Sequence, residues 1–206
     1  MTKLRIDRRK PTRFLPQIQI TSPSHFCITY SFLSYNIIMN SLKHYTIIGI
    51  IFVLITGTIS HFIYDWSGNN FILGLLFPIN ESTWEHMKLS FFPMLLYSVY
   101  MNAKIKHAYP CVTSSLLFGI LLSTFLIPVL FYTYSGILGR NFMLFDILTF
   151  VVSVLFSFIA VYMLSLSCKM TPYTSVLKLA VFTLMICFFL FTYHPLDIGI
   201  FINPAT

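Results

Sequence analysis

Long apolar runs separated by short polar stretches dominate this chain. Five stand out: about Tyr45–Tyr64, Trp84 or Lys88 to Met101, Cys111–Tyr132, Met143–Leu166 and Val176–Tyr193. A hydrocarbon layer about 30 Å thick takes about 20 apolar residues per crossing helix. Inside it, helices satisfy their own peptide groups, whereas open strands leave them unpaired. The pattern predicts an all-α fold, a polytopic membrane bundle of about five transmembrane helices. Between the first two runs comes a polar turn, Asp65 to Asn70, and then the apolar stretch Phe71–Ile79, interrupted by Gly74 and closed at Pro78. Nine residues are too few to cross, so this piece is expected to be re-entrant or to lie along the interface.

Composition agrees. Of 206 residues 57% are hydrophobic and 9% charged, with a mean hydropathy of +0.81. Soluble domains carry roughly a quarter charged residues. The lipid bilayer is therefore the first partner expected. The net charge of +7 is misleading. Lys3, Arg5, Arg8, Arg9, Lys10 and Arg13 all lie near the N-terminus, and beyond residue 38 seven basic residues face five acidic ones. No basic stripe remains for nucleic acid. Residues 1–38 read as an extension, disordered or created by a mis-assigned start, with translation expected at Met39. The alternative is a true extension whose 26–39 stretch enters the interface or forms a weak extra span. Residues 39–206 read as one transmembrane domain.

Lysine placement sets an expected orientation. Lys43, Lys104, Lys106, Lys169 and Lys178 flank one side of the spans, and Lys88 and Arg140 the other. Positive charge is retained inside. The core N-terminus is thus expected inside and the C-terminus outside, in a multi-pass cell-membrane protein. Asp65, Glu81, Glu85 and Asp197 then fall on the outer side, and Asp146 enters the fourth span from there. Pro93 and Pro128 lie in the outer halves of their helices, where proline loosens the backbone ladder. Trp66 and Trp84 are expected at the outer interface. Cys27, Cys111, Cys168 and Cys187 show no paired spacing and are expected to be separate buried or interfacial thiols.

The candidate chemistry sits between residues 61 and 86. This window holds three of the six acidic residues and two of the six histidines, pressed against membrane-length segments. Ionisable groups there are expensive and mark a functional site by default. His61 and Asp65 are four apart and share a helix face, a pairing that suits a general base or metal ligand as well as a simple polar closure. Ser82-Thr83-Trp84-Glu85 fits a capping box, and Glu85 can also pair with Lys88. Glu81 with Glu85, and Ser82 with His86, are again four apart. Asp146 reads as a carboxylate favoured at a helix N-terminus or as a member of the site. His194 and Asp197 end the fifth span on the same side. The candidate cluster is His61, Asp65, Glu81, Ser82, Glu85, His86 and Asp146. A divalent metal such as zinc would draw on His61, His86, Glu81 and Glu85, although no H-E-x-x-H spacing specifies one.

From about Met39 the chain resembles a family of small multipass proteins from Gram-positive bacteria known only as a domain of unknown function. The resemblance rests on His61-Phe62-Ile63-Tyr64-Asp65-Trp66-Ser67-Gly68-Asn69-Asn70, on the string from Phe77 to Lys88, and on Phe91-Phe92-Pro93. The ending Phe191-Thr192-Tyr193-His194-Pro195 is similar too. Residues 1–38 have no counterpart. The resemblance implies a bacterial membrane protein and brings no activity, ligand or catalytic residue. Two readings lead, and a transporter ranks third because the five spans show no internal repeat of the kind many transporters use. One is a non-enzymatic membrane protein whose polar outer cluster binds a ligand, ion or partner or fixes helix packing. The other is a metal-dependent intramembrane hydrolase using His61, His86 and nearby carboxylates.

Overall fold

The computed structural model describes the backbone from residue 25 to 202 and side chains from residue 41 to 202. The chain divides into two units, Met1–Ile37 and Ile38–Thr206, and the second carries the site. The basic arm and Cys27 lie outside the described side chains. The described chain holds five long α-helices and one short one, α1 (His25–Trp66), α2 (Phe71–Leu76), α3 (Thr83–Ile105), α4 (Val112–Leu138), α5 (Met143–Ser167) and α6 (Thr174–Tyr193), with 3-10 turns at Thr171–Tyr173 and Gly199–Phe201. There is no strand among the described residues.

The central element is α3. Its Phe91 packs on Phe188 of α6, its Tyr97 on Phe158 of α5, and its Lys88 reaches the Gly74 carbonyl of α2. Glycine lets α1 come close. Pro93 has no N–H for the carbonyl of Leu89 four residues earlier, and Gly57 of α1 lies against that carbonyl. A Cβ at Gly57 would stand 2.6 Å from the Leu89 oxygen. Between α4 and α5 the buried residues are small as well, with Ser123, Ser153 and Ser157 all shielded. Helices in lipid gain little from hydrophobic burial against each other and associate through such close backbone approach.

Four helical segments are long and apolar enough to cross a membrane: Ser41–Trp66, Val112–Leu138, Met143–Ser167 and Thr171–Tyr193. The expected second span, α3, has the length but not the composition. It carries Glu85, Lys88 and Lys104, and its first half is largely buried, whereas Leu96, Val99 and Tyr100 in the second half are exposed. The outer faces look the opposite way. Ile47, Ile51, Ile55 and Ile59 of α1 form an exposed apolar stripe at helical spacing. Such faces are far larger than a water-soluble monomer tolerates.

Two expectations need correction. Trp84 does not lie at an interface. It is buried among Phe188, Phe191 and Phe201, because it falls on the first turn of the central helix. Trp66 is exposed as expected. The cysteines are not all separate thiols either. Cys111 and Cys168 form a disulfide, with Cα atoms 5.2 Å apart across 57 residues of sequence. One opens α4 and the other closes α5, and the antiparallel α4–α5 pair brings those two ends together. Only that pairing of helices makes them neighbours. Cys187 is free and half-buried.

Candidate functional site

At the end of the bundle remote from the disulfide, the string from Asn80 to His86 splits into two polar groups. A turn prepares it. The Asn80 side-chain oxygen accepts from the Ser82 amide at 2.9 Å, and the Ser82 hydroxyl accepts from the Glu85 amide at 3.4 Å. That is half of the expected capping box. The Glu85 carboxylate does not return to Ser82. It accepts from the Ile79 amide at 3.1 Å and pairs with the Lys88 ammonium at 2.7 Å. Lys88 also donates to the Gly74 carbonyl and to the Thr192 hydroxyl. Both charged side chains are buried. This closed network ties α2, the α2–α3 loop, α3 and α6 together. It removes Glu85 and Ser82 from any open site.

Glu81 points the other way. One carboxylate oxygen is 3.5 Å from His61 Nε2 and the other is 3.4 Å from His86 Nε2. The ring centroids of the histidines are 5.4 Å apart. His61 comes from the last turns of α1, Glu81 from the loop before α3, and His86 from the first turn of α3. His61 therefore pairs with Glu81. Asp65, expected beside His61, is exposed and does not line the pocket described below. His194 and Asp197 are exposed beyond the end of α6 and do not line it either.

One hydrogen bond gives this trio its meaning. His86 Nδ1 lies 3.0 Å from the Ser82 carbonyl oxygen. A carbonyl only accepts, so Nδ1 carries the proton. In a neutral ring Nε2 then bears the lone pair, and it faces a carboxylate oxygen. Either a proton on Nε2, which makes an imidazolium–carboxylate ion pair, or a metal ion between the two groups satisfies both. A tetrahedral metal with ligand distances of about 2.0–2.2 Å separates its ligand atoms by roughly 3.3–3.6 Å. The two His–Glu contacts run to different carboxylate oxygens, and one ligand atom from each of His61, Glu81 and His86 lies within 4.8 Å of the others, a set that has to contract to close around an ion. The backbone carbonyl on Nδ1 is the usual way a metal-binding imidazole is oriented.

The trio opens into a cavity of about 380 Å³. His61, Glu81, His86, Asn141, Asp146 and Thr149 supply its polar wall, and Leu89, Ile127, Phe131, Met143 and Phe150 its apolar one. Asp146 enters from the first turn of α5, and its carboxylate accepts from the Tyr134 hydroxyl of α4. Size and mixed lining match those of small-molecule sites. Asn141 and Tyr134 were not foreseen. Tyr134 lies twelve residues before Asp146, and only the α4–α5 turn makes the two partners.

No curated protein and no solved structure matches the chain. A family model described as a family of unknown function (DUF6512) matches residues 33–206. With the match covering all of the described core, the chain belongs to that family.

Proposed function

We propose that this is an integral membrane protein, crossing the bilayer several times, that binds one divalent cation of the zinc class through His61, Glu81 and His86. The site presents the ion to a small-molecule pocket. The observation that carries this is the convergence of one ligand atom each from His61, Glu81 and His86 within 4.8 Å of one another, with His86 Nδ1 hydrogen-bonded to the Ser82 carbonyl. Two imidazoles and a carboxylate leave a fourth tetrahedral position free, as binding or catalytic zinc sites do, whereas structural sites are closed by four protein ligands.

The lysines support an orientation with the disulfide end inside and the metal end outside. Lys88 no longer counts against it, since Glu85 neutralises it within the bundle. Lys43, Lys104, Lys106, Lys169 and Lys178 then face Arg140 alone. In that orientation the cytosolic thiol pool would reduce the Cys111–Cys168 disulfide, so this crosslink is the observation that weighs against it.

The test is elemental analysis of the full chain purified in detergent and dialysed against zinc. About one zinc per chain is expected. His61→Ala and His86→Ala should lose it while keeping wild-type helicity and elution volume. Absence of stoichiometric metal in the folded wild type would reduce the trio to a polar contact between α1 and α3.

A further inference from the structure

The pocket offers more than a place for an ion, and we infer that it hydrolyses carboxylic esters of apolar acyl chains, with Asp146 as the proton acceptor. This rests on the metal reading above. Three features point to it.

The first is the open fourth position of the His61–Glu81–His86 set, which leaves room for a water beside the ion. The second is Asp146. It is a further carboxylate in the wall of the same cavity, and none of the three ligand residues pairs with it. Tyr134 donates to its Oδ1 and leaves Oδ2 free to take a proton. Tyr134 is thus a positioning residue. The third is the nature of the wall. No lysine or arginine lines the cavity, so apart from the ion itself nothing there holds a phosphate, and the ion's charge is already balanced by Glu81 and Asp146. A neutral ester carbonyl meets no such penalty. Leu89, Ile127, Phe131 and Phe150 accept a hydrocarbon chain, and the rim residue Met143 is exposed together with its neighbour Leu144. Apolar residues at that rim, on a protein whose sides face lipid, fit entry by an amphiphile.

The step balances without any further reagent. Water at the ion gives one proton to Asp146, and its oxygen bonds to the ester carbonyl carbon. The carbonyl electron pair moves onto oxygen beside the ion and then returns. The carbon–oxygen bond to the alcohol breaks, and the departing alkoxide takes the proton from Asp146. Ester and water become acid and alcohol.

The experiment uses full-length protein in detergent, zinc-loaded or chelator-stripped, with p-nitrophenyl butyrate and octanoate as probes. Zinc content is measured on the same samples. Zinc-dependent release of nitrophenol is expected. Asp146→Asn should keep the zinc and lose about 10²–10⁴-fold in kcat, the usual weight of a positioned proton acceptor. Tyr134→Phe should lower kcat less and leave KM unchanged. Zinc bound without zinc-dependent cleavage of either ester overturns the hydrolase and leaves the metal site standing. Loss of zinc in folded Asp146→Asn also overturns it, since Asp146 would then be a fourth ligand closing the position water needs. If Asp146→Asn does not fold, loaded against stripped wild type still decides. Failure of the wild type to bind zinc removes the metal reading itself.

Discussion

Two ionic groups lie one helical turn apart at the start of α3, and they differ in almost every physical respect. In the Glu85–Lys88 pair the side chains are 2% and 0% exposed, and two backbone groups and a hydroxyl take up the remaining hydrogen-bonding capacity. In the His61–Glu81–His86 trio the side chains are 30%, 54% and 25% exposed, and every contact between them is 3.4 Å or longer. The first group is complete and the second is not. A buried charge must be paired and fully hydrogen-bonded or it unfolds its surroundings. A group that binds something must keep capacity in reserve. The same short string supplies both, because Glu81 sits in the loop before α3 while Glu85 and His86 lie about 100° apart around the helix.

The sharpest way to break the contrast is to remove one member of each group. Lys88→Met leaves Glu85 ionised in the interior and should cost about 3–5 kcal/mol, read as a large fall in the thermal midpoint in detergent. His61→Ala and His86→Ala should cost less than about 1 kcal/mol yet abolish zinc binding. Replacing the whole pair, Lys88→Met with Glu85→Leu, should recover much of the loss, since two matched apolar side chains carry no unpaired charge. If Lys88→Met is as stable as wild type, the pair is not the lock described.

A smaller effect should sharpen the geometry. Gly57 lies one turn before His61, against the Leu89 carbonyl that Pro93 leaves without a helical partner. Gly57→Ala forces a contact of 2.6 Å with rigid backbone. It should cost about 1–3 kcal/mol by overpacking. It should also weaken zinc binding by moving His61 away from His86, which isothermal titration would register. Unchanged zinc affinity in a destabilised Gly57→Ala would mean that α1 does not set the site.

The smallest effect on either group is expected from the far end. Cys111→Ser should leave zinc content and Lys88 burial untouched. The pair has a different use. Alkylation in intact, untreated cells should find Cys111 and Cys168 reduced, closing only after an oxidant is added. A crosslink already present in untreated cells would invert the orientation drawn from the lysines.

Much of the fold was legible in the sequence because lipid imposes one-dimensional rules. Span length, helix type and the break at Asp65 to Asn70 follow from run length and turn chemistry alone. The rules marked α3 as the second span without showing its packing, since it carries three charged residues and buries most of its first half. It is the core helix, and a core helix in a membrane can hold an ion pair that a lipid-facing one cannot. Trp84 went wrong for the same reason, since its place on the first turn of a central helix cannot be told from an interfacial one by spacing. The disulfide gave no signal because its partners lie 57 residues apart.

The candidate site divides along similar lines. The sequence by itself determined an all-helical chain with membrane-length apolar segments, and it concentrated the costly ionisable residues around positions 61 to 86. Local spacing paired His61 with Asp65 and Ser82 with Glu85, because neighbours on one helix are the only contacts that a linear pattern can see. The Glu85–Lys88 pair was legible in the same way, but the tertiary structure gave His61 to Glu81 and Asp146 to Tyr134. The reason is physical. Which partner a carboxylate meets depends on what the packing brings near it, and packing is fixed by the small residues and backbone approaches between helices, far from the charges themselves.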